Sequence, residues 1–149
     1  MSASHQGFLT LLHRANQIAT ERFTAAIVDG DTTARQIQVL AAIEANEGLS
    51  QTRIVAETGI DRSTLADIVR RLQKRKLIER RRSKDDARAY VVKLTEAGRS
   101  ELATGKPALG SVEKELLAAL PVKQRAELLV MLRTVVAAGE APTTKSARA

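Results

Sequence analysis

Between Ser50 and Leu72 the chain starts a helix, stops it at a glycine and starts another within a few residues, a pattern that few architectures accommodate. Ser50 is placed to cap a short helix containing Ile54 and Val55. Gly59 ends it, because glycine enters the left-handed conformation without steric cost. Asp61 then reads as the N-cap of a second helix, with Ile60 and Leu65 at the positions of a hydrophobic staple. Leu65, Ile68, Val69 and Leu72 recur at the i, i+3, i+4, i+7 spacing of an inward face. A short helix, a tight turn with glycine and a capped second helix spell a helix-turn-helix. The opposite face of the second helix carries Ser63, Asp67, Arg70 and Lys74, with Thr64 and Arg71 on its flank. Short hydrogen-bonding side chains come first and cations later, the layout with which a helix offers its start to base edges and its later turns to phosphates.

Two further runs follow, Leu77 to Arg82 and Ala89 to Leu94, separated by the turn formers Ser83 to Arg88. Their β-branched and aromatic content predicts a β-hairpin, a basic ribbon or wing beside the reading helix. Helices flank this unit. Residues 8 to 28 carry Phe8, Leu11, Leu12, Ala15, Ile18, Ala19, Phe23, Ala26 and Ile27 at helical spacing, and Asp29-Gly30-Asp31 ends that helix. Thr32 or Thr33 caps the next, whose inner face is Ile37, Val39, Leu40 and Ile43 and which runs to Asn46-Glu47-Gly48. Thr95 caps a long fifth helix that Pro107 and Gly110 should bend or interrupt, with Val112, Leu116 and Leu117 resuming its apolar face. Pro121, in a first-turn position, opens a sixth with Leu128, Leu129, Leu132, Val135 and Val136. The fold class is therefore mainly α with a small β-hairpin wing, and residues 140–149 read as a disordered tail.

Composition agrees. Aromatic residues are 2% of the 149 (Phe8, Phe23 and Tyr90), so the core is aliphatic and suits helix-on-helix packing. Charge is more telling still. Between Asp61 and Lys93 twelve Lys and Arg face five Asp and Glu, a net +7 that equals the charge of the whole chain, so the remainder is neutral. One surface is built to meet a polyanion.

Other classes are excluded or weakened. With no cysteine there is no disulfide, thiolate catalysis, zinc-thiolate site or thiol-based redox trigger. The only histidines, His5 and His13, make no metal site, no phosphate-binding glycine loop is present, and no cofactor is expected. Ser111-Val112-Glu113-Lys114 has the serine–lysine spacing of penicillin-binding enzymes but lacks the partner motifs, and Asp29-Gly30-Asp31 lacks the other ligands of a calcium loop. The chain does not read as an enzyme, and no catalytic or metal-binding residue is expected. No apolar run is long enough to span a bilayer, and Met-Ser-Ala-Ser-His-Gln is not the start of a signal peptide, so no membrane partner and a cytoplasmic location are expected.

The order of these elements resembles the MarR family of bacterial winged helix-turn-helix regulators. The resemblance is carried by Gly59-Ile60-Asp61-Arg62-Ser63-Thr64-Leu65, by Val69 and Leu72 leading to Leu77-Ile78-Glu79-Arg80, and by Asp86-Ala87-Arg88 followed by Leu94-Thr95-Glu96-Ala97-Gly98. It implies a homodimer held by the first, fifth and sixth helices: residues 1–31 and 96–139 dimerise, and 32–95 bind double-stranded DNA. It also implies a small-molecule effector cleft between the dimer helices and the winged domain, and repression relieved by that effector. Two other functions fit the same basic segment, a sequence-independent architectural DNA-binding protein and a winged-helix module for an acidic protein surface.

On this reading Arg62, Ser63, Thr64, Arg70, Arg71, Lys74, Arg82, Lys84 and Arg88 are DNA-contact candidates, with Arg88 at the wing tip suited to a narrow minor groove. Arg80 to Arg82 alternate along a strand, so not all three face DNA. Asp67 repels phosphate and must accept from cytosine, pair with Arg70 or Arg71, or brace the wing; wing-bracing or pairing is expected of Asp67, and wing-bracing of Asp86. His13, Arg14 and Gln17 either line the effector cleft or face solvent. If Arg14 or Arg22 faced the cleft, an anionic effector such as an aromatic acid or a thioester would be favoured.

Overall fold

The computed structural model describes residues 6–27, 30–48, 50–86 and 88–141. Six helices and one hairpin appear there in the order α1 (Phe8–Ala26), α2 (Ala34–Ala45), α3 (Gln51–Thr58), α4 (Arg62–Lys74), β1 (Ile78–Arg82), β2 (Tyr90–Leu94), α5 (Glu96–Leu117) and α6 (Val122–Glu140). The chain divides into two compact units, one ending at Glu113 and the other starting at Lys114.

In the first unit side chains cap the starts of α2, α4 and α5. Thr33, not Thr32, caps α2 in a full capping box: its hydroxyl accepts from the Gln36 amide at 3.2 Å, and the Gln36 side chain accepts from the Thr33 amide at 3.1 Å. Asp61 caps α4, Ile60 and Leu65 are both buried, and Thr95 caps α5 by accepting from the Gly98 amide at 3.1 Å. Gly59 ends α3 at φ 66°. Ser50 stands at the N-cap position of α3 but makes no capping bond there; its backbone instead forms an antiparallel bridge with Val91, tying the start of α3 to the hairpin.

The end of α4 was not foreseen. Lys76 adopts φ 58°, its amide donates to the Gln73 carbonyl at 2.9 Å and the Leu77 amide reaches the Leu72 carbonyl at 3.0 Å. That pair of bonds is a Schellman motif, and its usual hydrophobic contact is supplied by the buried Leu72 and Leu77. The chain then enters β1, which pairs antiparallel with β2 from Ile78↔Leu94 to Arg82↔Tyr90. Gly98 lets α5 lie against this turn: a Cβ there would come within 2.0 Å of the Leu77 carbonyl oxygen.

The core gathers one face from each element: Ile37, Leu40 and Ile43 of α2, Ile54 of α3, Leu65 and Leu72 of α4, Val92 of β2 and Leu102 of α5. Truncating any of these leucines or isoleucines to Ala would cost about 2–5 kcal/mol. α1 contributes Phe23, while Phe8, Leu9, Leu11 and Leu12 stay exposed.

Pro107 lies inside α5, and the helix is not interrupted there or at Gly110. Proline costs one helical bond, and Leu102 and Val112 are buried on either side of it. In the second unit Pro121 is the N-cap of α6 rather than its first helical residue. The Arg125 guanidinium donates to the Leu120 carbonyl at 2.9 Å and closes the turn before it. No α6 residue is fully buried; Leu128 and Leu132 are half-buried, and Leu129, Val130, Met131, Val135 and Val136 are exposed. The helix runs through Glu140, into the segment read as a tail, of which residues 142–149 lie outside the described residues. Among the described residues no helix is long and apolar enough to cross a membrane.

Candidate nucleic-acid interface

The interface candidates start from the Asp61 cap. Its carboxylate accepts from the Thr64 amide at 3.0 Å and from the Ser63 hydroxyl at 2.9 Å. These bonds, those to Thr64 foremost, hold its pKa at about 2, well below the usual carboxylate value. They also fix the first turn of α4, so Ser63 sits at its exposed start with its hydroxyl oriented.

One turn on, Asp67 binds Arg70 and Arg71 of its own helix, the latter at 2.9 Å. Of the readings open to it, bracing the wing or pairing along its own helix, the structure shows the pairing: its partners are its i+3 and i+4 neighbours, which an aspartate at mid-helix reaches more readily than a separate ribbon. Both arginines are exposed, and such pairs contribute under about 1 kcal/mol, so a phosphate can recruit either guanidinium at little cost. Lys74, in the last turn, is exposed with no ion-pair partner among the described residues. Arg62 is exposed at the first turn and lines a concavity of about 270 Å³ between α3 and α4, together with Gln51, Thr52, Val55, Leu65 and Ala66.

At the wing tip Asp86 makes local hydrogen bonds. Its Oδ1 accepts from the Arg88 amide at 2.9 Å, its carbonyl accepts from the Ala89 amide at 3.1 Å, and the Ser83 amide reaches the Ala89 carbonyl at 2.9 Å. Ala87 lies outside the described residues. The Arg88 guanidinium is exposed and makes no ion pair among the described residues; the pairing with Asp86 runs through its backbone. Arg82 and Lys84 are exposed likewise and border a groove of about 440 Å³ with Glu47, Asp85, Val91 and Lys93. Arg81, by contrast, pairs with Glu79 at 2.8 Å.

Three features escaped the sequence reading. The Arg80 guanidinium stacks over the Tyr90 ring, 5.0 Å from its centroid, and donates to Gln51 Oε1 at 3.1 Å. Arg75, at the end of α4, donates to Thr32 Oγ1 at 3.0 Å, and Thr32 donates to Glu101 of α5 at 2.6 Å. Arg99 of α5 holds Glu47 at 2.6 Å. The strand register would have brought Arg80 and Tyr90 into diagonal contact, but the turn length that fixes the register was not readable; the other two span 43 residues or more and leave no local signal.

On α1, His13, Arg14 and Gln17 are exposed, and Gln17 donates to Glu21 at 3.0 Å. In the second unit Ala126, Glu127, Val130 and Met131 line an apolar hollow of about 420 Å³.

Comparison with known proteins places this arrangement. Residues 31–89 match the profile described as MarR family. The HTH-type transcriptional repressor NicR of Pseudomonas putida is 28% identical over 130 residues, covering 87% of this chain and 82% of that protein. Among solved structures, the PcaV transcriptional regulator of Streptomyces coelicolor in complex with its natural ligand superimposes with a TM-score of 0.83 at 29% identity, covering 93% of this chain and 96% of that one. The repressor CouR bound to a 23-mer DNA duplex gives 0.76 at 32% identity, covering 91% and 96%. BpsR of Bordetella bronchiseptica, whose DNA binding is regulated by 6-hydroxynicotinic acid, gives 0.72 at 30% identity, covering 84% and 95%.

Proposed function

The chain belongs to the MarR family of DNA-binding transcriptional regulators, and from that premise we propose that it is a homodimeric repressor released from a pseudo-palindromic operator by a small aromatic-acid effector. The observation that carries the reading is the exposed basic surface of α4 and the hairpin, which holds the whole positive excess of the chain. Residues 32–95 form the DNA-binding unit. Ser63 and Thr64 at the start of α4 meet base edges in the major groove, Arg62, Arg70, Arg71 and Lys74 meet phosphates, and Arg82, Lys84 and Arg88 follow the backbone into the adjacent minor groove.

Residues 1–31 and 96–139 supply the dimer contacts. The exposed Phe8, Leu9, Leu11 and Leu12 of α1 and Leu129, Val130, Met131, Val135 and Val136 of α6 support this, since apolar residues gathered along a helix in this number mark an interface. Dimerisation places two reading helices in successive major grooves, with half-sites about 10 bp apart. The effector acts by population shift: it binds more tightly to a dimer whose reading heads no longer match that spacing. His13, Arg14 and Gln17 are its candidate contacts. An aromatic carboxylate is favoured because BpsR responds to one and Arg14 supplies a cation.

Selection of bound duplexes from a random library, followed by footprinting, tests the reading. Two protected tracts related by a twofold axis are expected, with protection lost on adding 6-hydroxynicotinate or a related acid. Recovery of unrelated sequences without dyad symmetry would favour an architectural protein instead.

A further inference from the structure

The strand register divides three consecutive arginines between two faces. Arg80 lies opposite Val92 and Arg82 opposite Tyr90, so both share the hairpin face whose inner end is the buried Ile78, Val92 and Leu94. Arg81, opposite Val91, points to the other face.

Arg80 is held differently from the other fixed cations of the winged unit. Arg70, Arg71, Arg75, Arg81 and Arg99 each have a carboxylate within 4.0 Å, which offsets their charge. The partners of Arg80 are a phenol ring and a carboxamide oxygen, and neither carries charge. The stack and a single donated bond fix the guanidinium plane while, among the described residues, no carboxylate offsets its charge and its other N–H groups have no acceptor. Its orientation is therefore set before any ligand arrives, which lowers the entropic cost of binding. A planar fork of this kind matches two oxygens of one phosphate.

Gln51 extends the site. It opens α3 and, besides accepting from Arg80, lines the concavity that Arg62 borders from the α4 side. No acidic residue lines that concavity. A polyanion crossing from the wing to the reading helix thus meets a guanidinium on each side of Gln51.

We propose that Arg80, aimed by Tyr90 and Gln51, binds a DNA backbone phosphate at the junction of the wing and α3. The proposal rests on the DNA-binding reading above and adds a contact and two positioning residues to it. The stack belongs to this chain's own side chains: Tyr90 supplies the ring and Gln51 the oxygen, so the aim of Arg80 depends on both.

The test uses the full chain and a fluorescent 30-bp duplex of random sequence, with affinity measured across a salt series, because a phosphate contact does not depend on sequence. Arg80→Gln is expected to bind roughly tenfold more weakly and to flatten the log–log salt slope by about 0.9 per bound protomer, with thermal melting unchanged. Tyr90→Phe keeps the ring and is expected to match the parent chain, whereas Tyr90→Leu loses several-fold in affinity at a nearly unchanged slope. An Arg80→Gln chain that folds and keeps the full slope overturns the proposal. Should Arg80→Gln fail to fold, the Tyr90 pair decides: equal affinities for Tyr90→Leu and Tyr90→Phe overturn the aiming role and the site with it. A parent chain with no salt-dependent affinity for the duplex would overturn the DNA-binding reading itself, a separate result from the variants.

Discussion

The hydroxyl of Thr32, a buried side chain, donates to Glu101 Oε2 at 2.6 Å while accepting from Arg75 at 3.0 Å. A single oxygen thereby joins the end of the reading helix to α5, the helix that leads out of the winged unit. Arg75 and Glu101 alone stand 4.0 Å apart, so the hydroxyl is the closer link between them.

Thr32→Val keeps the shape and removes the relay. It is expected to lower stability by about 1–2 kcal/mol in urea denaturation, with Thr32→Ser recovering most of that. Both charged partners are about one-third exposed, and water compensates part of the loss. A Val variant as stable as the parent chain would show that the relay is ornamental.

Lys76 holds the left-handed position of the Schellman motif after α4, where glycine has no Cβ penalty. Lys76→Gly is expected to raise the denaturation midpoint, by about 0.5–1 kcal/mol in stability. No change or a loss would mean that the extra freedom of glycine in the unfolded chain offsets the relieved strain.

Local chemistry decided what the sequence reading could reach. Asp61, Gly59 and the staple pair Ile60 and Leu65 act within a few residues, so α4 and its inner face were readable in outline. The stop after α4 was not, because Lys76 adopts the conformation that glycine would have advertised. Ser50 has the right residue type for a cap, yet its backbone is engaged by β2, a long-range pairing that residue preference does not see. Pro107 suggests a bend or a break on local grounds; the break does not occur, and buried side chains flank it on both sides. Asp67 had three kinds of partner available on paper, and helix geometry selected the arginines of its own helix. The Arg80–Tyr90 stack needed a register that only the turn could supply.

Asp61 links the reading helix to pH. Its pKa is lowered from 3.8 to about 2 in the folded chain, so its capping bonds stabilise the fold fully above pH 4 and are lost as pH falls toward 2. Asp61→Asn can still cap but cannot titrate. The stability difference between parent and Asn variant, followed by denaturation between pH 5 and 2, is expected to shrink as the pH drops. A difference constant over that window would remove the carboxylate from the account of the cap.

Arg88 is the wing-tip contact in the proposed complex. Arg88→Ala is expected to weaken operator binding by about 1–3 kcal/mol while leaving the sedimentation behaviour of the free protein unchanged. Because Asp86 holds the tip through backbone amides, the hairpin should keep its shape in that variant. Full affinity in Arg88→Ala would place the wing away from DNA.

The central claim is that the cations of α4 and the hairpin act together, in two copies, on one duplex. A titration of the selected operator between 50 and 200 mM salt addresses it directly. With 6 to 10 phosphates neutralised, affinity is expected to fall roughly 10³- to 10⁵-fold across that range, with two chains on each duplex. An affinity that hardly changes with salt, or a single chain per duplex at saturation, would contradict it.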